Sequence, residues 1–103
     1  MADFMKMLQQ AQELQGKLQK AREDLQQQTV RASSGGGMVT VEANGEGTIR
    51  SIKVDPSVVN ASDVEMLEDL LLVAVTEAQK KAQDTAQQEM GKLTGDFPFK
   101  LPF

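Results

Sequence analysis

Apolar residues recur near the start of the chain in alternating steps of three and four: Phe4, Met7, Ala11, Leu14, Leu18, Ala21 and Leu25. This a/d seam runs over about three heptads and predicts an α-helix across about residues 3–28. The stretch contains no Pro and a single Gly, and Asp3 is placed to cap its start. At ~1.5 Å per residue, about 26 residues make a rod of about 39 Å, too long for the rest of so short a chain to cover. The narrow seam calls for another helix, from this chain or from a second copy.

The period changes at Thr29. Thr29 to Ser33 has short β character, and Met38 to Ala43 alternates with Val39, Val41 and Ala43 on one face. Gly35-Gly36-Gly37 lies between these two runs. Asn44-Gly45 is a hairpin signal, since both residues tolerate positive φ, and Thr48 to Val54 supplies the return strand. Ile49 and Ile52 are three apart and cannot share a face of a regular strand. A bulge, or a register with both faces covered, would reconcile them. Asp55-Pro56 closes the sheet, which is predicted over about 29–54.

Ser62-Asp63-Val64-Glu65 reads as a capping box, with Ser at the cap and Glu three residues on. It opens a second helix predicted over about 62–92, roughly 45 Å long. Its first half is apolar nearly all round, from Met66 to Val75, which implies burial on more than one side. Ala78, Ala82 and Ala86 continue a thin stripe, either exposed or packed closely through small side chains. An extended segment over 93–103 carries Pro98 and Pro102 and three of the four Phe. The predicted fold is α+β, in the order α-β-β-β-α, a small antiparallel sheet flanked by two long helices. Two long apolar helix surfaces on one small domain predict a homodimer, intertwined or side by side, that buries them.

Composition narrows the chemistry. The 103 residues include no Cys and no His, which removes thiol catalysis, disulfides, the usual zinc sites and the usual general base near neutral pH. The serines have no His to activate them. Gly35-Gly36-Gly37 lacks the Lys-Ser/Thr ending of a phosphate loop and sits between strands, so it reads as a hairpin connection. Glu65, Glu68 and Asp69 read as an acidic first helical turn that complements the helix dipole, not as a cation site. No catalytic residue, cofactor, metal site or small-molecule substrate is expected. There is no secretory signal pattern, and no apolar run approaches the ~20 residues of a membrane span. A cytoplasmic protein without a membrane partner is the plain expectation.

The formal charge is −4, from 15 acidic and 11 basic residues, which at face value argues against a polyanion partner. The charge is unevenly spread, however. Residues 1–53 carry +1 and residues 54–103 carry −5, with the acids crowded from Asp63 to Glu77. Gln residues fill the outer faces of both helices, where they serve helix propensity and solubility or hydrogen-bond phosphates and base edges.

Several segments, in order, carry a resemblance. A Met/Gln-rich helix with Met5-Lys6 near its start is followed by a Gly-rich turn, Met38-Val39-Thr40-Val41 and Asn44-Gly45. Then come Ile52-Lys53-Val54-Asp55-Pro56-Ser57, Glu65-Met66-Leu67-Glu68-Asp69-Leu70 and Phe99-Lys100-Leu101-Pro102-Phe103. Over essentially the whole chain this resembles the YbaB/EbfC family of bacterial nucleoid-associated proteins. The chain lacks a longer Gly-rich lead and departs from the family's usual tail at Asp96-Phe97-Pro98-Phe99. The resemblance implies a homodimer with helices projecting like tweezer arms, and DNA binding of low or variable sequence specificity. It also implies an association with the nucleoid and an influence on gene expression.

From charge and expected exposure, the DNA-contacting candidates are Lys6, Lys17, Lys20, Arg22, Arg31, Arg50, Lys53, Lys80, Lys81 and Lys92. The apolar pattern nominates Val39, Val41, Leu67, Leu70, Leu71, Ala74 and Val75 for a dimer interface. The alternative is a dimeric structural or adaptor protein that mediates protein–protein assembly without direct DNA binding.

Overall fold

A computed structural model of the chain describes residues 2–94. Helix α1 spans Ala2–Gln27, and strands β1 (Thr29–Ser34), β2 (Val39–Asn44) and β3 (Ile49–Val54) follow it. Helix α2 then runs over Val64–Thr94. The sheet is antiparallel in the order β1-β2-β3. The predicted element order holds, and the helix ends move by one or two residues. Residues 93 and 94, expected to be extended, belong to α2, and 95–103 lie outside the described residues.

The sheet has one apolar and one polar face. Val39 pairs with Val54, Val41 with Ile52, and Ala43 with Ile49. The register shifts between Glu42 and Ala43, so Arg50 is the extra residue of a bulge. That single insertion brings Ile49 and Ile52 onto one side despite their odd spacing. Paired residues share a face, so Val30 and Ala32 join them from β1.

Helix α2 packs on the apolar side of β1 and β2 and runs antiparallel to β1. Two bonds fix this direction. The Ser34 hydroxyl donates to the Leu70 carbonyl at 2.6 Å, and Lys81 Nζ donates to the Arg31 carbonyl at 2.8 Å. Ala74 and Ala78 are fully buried against Ala32, Val39, Val41 and Ala43. Alanines let the helix backbone approach the sheet closely, so the thin stripe works by close packing. The crowded first half of α2 behaves differently from expectation. Leu72 stays 67% exposed and Val73 51%, because within one chain the sheet covers one side of the helix only.

Two local predictions are corrected. The cap of α2 is Asp63, whose carboxylate accepts from Met66 N at 3.2 Å, and not Ser62. A carboxylate is the stronger acceptor and also suits the positive end of the helix dipole. In the hairpin, neither Asn44 nor Gly45 has positive φ; Gly47 does, at 91°. Asn44 is instead a buried side chain whose Oδ1 accepts from the N–H groups of Glu46 and Thr48, at 2.9 and 3.0 Å. Gly45 answers a close approach. Its N–H donates to the Leu25 carbonyl at 2.7 Å, and a Cβ there would lie 2.7 Å from the same oxygen.

This contact sets where α1 goes. The end of α1 is held at the β2–β3 turn, and the helix runs away from the sheet beside the second half of α2. Leu14, Ala21 and Leu25 are buried on α1 and Ala82 on α2. The described chain is elongated, with extents of 72 × 20 × 17 Å. A second small motif fixes the entry to α2. Ser57 N donates to Asp55 Oδ1 at 2.8 Å. This backbone bond first, and the Ser57 hydroxyl second, hold the Asp55 carboxyl below the usual carboxylate range.

Gly45→Ala should force the β2–β3 turn away from Leu25. We expect a loss of about 1–3 kcal/mol, as for overpacking at a tight site, read from urea unfolding midpoints. A midpoint unchanged from the parent would show that the approach is not constraining.

Candidate nucleic-acid interface

All the basic residues nominated from sequence are exposed, but they fall into separate groups. On α1, Lys6, Lys17 and Lys20 lie within an arc of about 60°, because each residue turns the helix by about 100°. Arg22 points about 140° or more away from them and is not part of that stripe. The stripe is not purely cationic. Glu13 sits one turn before Lys17 and Asp24 one turn after Lys20, in the spacing at which opposite charges attract along a helix.

A second group surrounds the polar face of the sheet. Arg31, Ser33 and Lys53 are exposed there, with Thr40, Glu42 and Ser51 half-buried between them. Arg31 donates to Glu42 across the β1–β2 pair at 3.0 Å from Nε, and Ser33 shares a hydrogen bond with Thr40 at 3.1 Å. Arg31 and Lys53 are separated by two strand spacings and a two-residue step, which places their Cα atoms about 12 Å apart. Lys81 reaches the open edge of β1 through the Arg31 carbonyl, so it brings a third cation to this region. The bond also blunts an edge whose backbone groups would otherwise be free to pair.

Arg50 is diverted. Its Nη2 donates to the Gln26 carbonyl at 2.6 Å, at the negative end of the α1 dipole. The bulge that reconciles Ile49 with Ile52 is what makes this position available. Lys92 pairs with Glu89 at 3.7 Å and lies in line with Lys81, three turns further on. Lys80 is turned about 100° from Lys81 and belongs to neither group.

The start of α2 has the opposite character. Asp63, Glu65 and Asp69 surround an open depression of about 370 Å³ floored by Met66, Leu70 and Val73. Such a surface repels phosphates. Among the described residues no group of three or more acidic side chains could hold a metal ion, and no helix is long and apolar enough to cross a membrane.

The dimer candidates divide by burial. Val39, Val41 and Ala74 have no exposed surface in the single chain, so they can shape a partner surface only from beneath. Leu67, Leu70, Leu71 and Val75 are half-buried around that core. Beside them, α2 leaves the apolar side of β3 largely open, and Ile52 is 46% exposed. Ile52 was not among the nominated residues; its signal was the odd spacing that required a bulge.

Comparison with known proteins bears on this arrangement. Residues 1–97 match the sequence model of the YbaB/EbfC DNA-binding family. The chain belongs to the YbaB/EbfC DNA-binding family. A nucleoid-associated protein of Gemmatimonas aurantiaca is 52% identical over 103 residues, covering 98% of this chain and 99% of the relative. A nucleoid-associated protein of Thermodesulfovibrio yellowstonii is 54% identical over 99 residues, covering 96% of this chain and 85% of the relative. In structure, an uncharacterised protein of Helicobacter pylori superposes with a TM-score of 0.80 at 21% identity, over 87% of this chain and 95% of that one. That likeness shows that the two chains share the α-β-β-β-α fold.

Arg50 and Lys53 lie close in sequence, yet the geometry gives them different work. Arg50→Ala should lower stability by about 1 kcal/mol, the usual net worth of a hydrogen bond to a helix end. Lys53→Ala should stay within about 0.5 kcal/mol of the parent, as for an ordinary surface position. Denaturant midpoints of the two variants decide this, and equal midpoints would remove the structural role from Arg50.

Proposed function

We propose that this protein binds DNA as a nucleoid-associated homodimer, gripping duplex phosphates with little sequence preference. It would thereby influence nucleoid organisation and gene expression from within the cytoplasm. The observation that carries this reading is the match to a DNA-binding family over residues 1–97. The names of the relatives support the nucleoid as the place of action.

The geometry is compatible with phosphate contact and adds detail. Lys6, Lys17 and Lys20 form a stripe along a projecting helix, and Arg31, Lys53 and Lys81 gather near the sheet. Lysines on a helix surface neutralise phosphates as point charges and read no base edges, which fits low specificity. The exposed Gln side chains on α1 can add hydrogen bonds to phosphate or sugar. The acidic start of α2 keeps nucleic acid away from that end. A binding protein, not an enzyme, is the reading these features support.

A second copy fits on the apolar side that α2 leaves open. Ile52, Val64 and Leu72 are exposed near the half-buried Leu67, Leu71 and Val75. A dimer doubles the cations offered to one duplex and covers apolar surface that would be costly in water. The competing reading keeps this dimer but makes it an adaptor for other proteins, with surface charges that only solubilise it.

DNA affinity should fall steeply with salt, with a log–log slope of about −0.9 per phosphate neutralised. Replacing Lys6, Lys17 and Lys20 together with Glu should abolish retardation of a duplex in ~50 mM salt and leave the dimer intact, whereas Arg22→Glu should weaken it less. No retardation of DNA by the parent protein under those conditions would favour the adaptor reading.

The placement of the partner is tested separately. Ile52→Asp puts a charge on a surface that is half open in the single chain. The variant should sediment as a monomer at concentrations where the parent sediments as a dimer. A dimer unaffected by this charge would move the interface elsewhere.

A further inference from the structure

The free end of α1 carries apolar surface that neither the fold nor the proposed DNA contact uses. Residues 3–13 are all exposed, whereas Leu14 is buried. Within this bare stretch Phe4 is 62% exposed, Met5 67%, Met7 65% and Leu8 47%. Phe4, Met7 and Ala11 continue the seam that Leu14, Ala21 and Leu25 bury further along, and Leu8 widens it on the side of Phe4. The pattern of a covered helix therefore continues past the point where cover ends.

The reason is a difference in length. Both helices leave the sheet at the same end. Gly45 holds α1 at Leu25, and the Lys81–Arg31 bond holds α2 at β1. From Lys81 to Thr94, α2 has about 13 residues left, or about 20 Å. From Gln27 back to Ala2, α1 extends about 39 Å. So α1 overshoots α2 by about 19 Å, or about 13 residues, which is the stretch found exposed.

The sequence that follows α2 matches this gap in length and in chemistry. Residues 95–103 follow Thr94, the last residue of α2, and the lengths above bring Thr94 about level with the base of the bare stretch. Nine residues in extended form reach about 30 Å, enough to run the whole overshoot. Phe97, Phe99, Leu101 and Phe103 fall on every second position, which puts them on one side of an extended chain. Pro98 and Pro102 oppose continuation of the helix and favour extended backbone, which lowers the entropy lost on docking. Phe rings facing Met7 also gain sulfur–aromatic contacts.

We infer that residues 97–103 dock in extended form on the apolar stripe of α1 formed by Phe4, Met7 and Leu8 of the same chain. Attachment through Thr94 gives the segment a high effective concentration at that stripe, which favours it over the same segment of a second copy. Docking completes the seam that α2 leaves unfinished. The inference does not depend on DNA binding.

The chain has no Cys, so a single nitroxide can be placed through Lys100→Cys in the full chain. Amide signals of residues 4–11 should lose intensity severalfold relative to the reduced label, while those of β2 and β3 should not. A mixed sample, with the nitroxide on isotopically silent chains and the signals read from isotope-enriched parent chains that carry no nitroxide, should show no such loss. Adding Met7→Ser and Leu8→Ser to the labelled chain should restore the lost intensity. Absence of broadening over residues 4–11 would overturn the inference. Equal broadening in the mixed sample would overturn it too, by assigning the stripe to a second copy.

Discussion

The close contact between α2 and the sheet is the constraint on which the other features hang. Ala74 and Ala78 are buried on α2 against Ala32, Val39, Val41 and Ala43. None of these side chains is large, so the fit depends on backbone approach and tolerates little added volume. Because the same helix continues past the sheet, its buried Ala82 faces a different neighbour, α1, without a break. One helix of 31 residues thus joins a compact end to a long arm. The bonds from Ser34 to the Leu70 carbonyl and from Lys81 to the Arg31 carbonyl fix its direction, and Gly45 and Arg50 fix α1 beside it.

This layout also separates charge. The carboxylates of Asp63, Glu65 and Asp69 sit at the start of α2, while the Lys stripe of α1 lies on the arm that leaves the other end of the sheet. A net charge of −4 therefore averages over two regions of opposite character. It limits the strength of any phosphate contact without removing a local basic face. Glu13, Asp24 and Glu42, which lie among the cations, limit it further.

Legibility differed from feature to feature for physical reasons. The two helices showed in the chain because a 3.6-residue period repeats over many turns, and the strands showed because Val39, Val41 and Ala43 alternate. The bulge was half legible: Ile49 and Ile52 demanded some irregularity, but only the pairing with Ala43 and Val41 chose it. Asn44-Gly45 marked the turn correctly for a reason that proved different. The glycine is there to admit the Leu25 carbonyl, a contact between segments far apart in sequence. The cap moved from Ser62 to Asp63 because both side chains suit a cap, and a one-residue choice depends on how the helix must enter its packing site.

The candidate site was legible as a set of residues and not as a surface. Sequence by itself determined the element order, the polarity of each strand face, the lack of His and Cys chemistry and the family resemblance. Each of these is written in local spacing or in residue type. Only the tertiary structure decided that Arg50 closes a helix end and that Lys81 joins Arg31 at a strand edge. It alone decided that Leu14 is covered while Phe4 and Met7 on the same seam are not. Those outcomes depend on where two helices of unequal reach are anchored to one sheet, and such anchoring is a property of distant pairs.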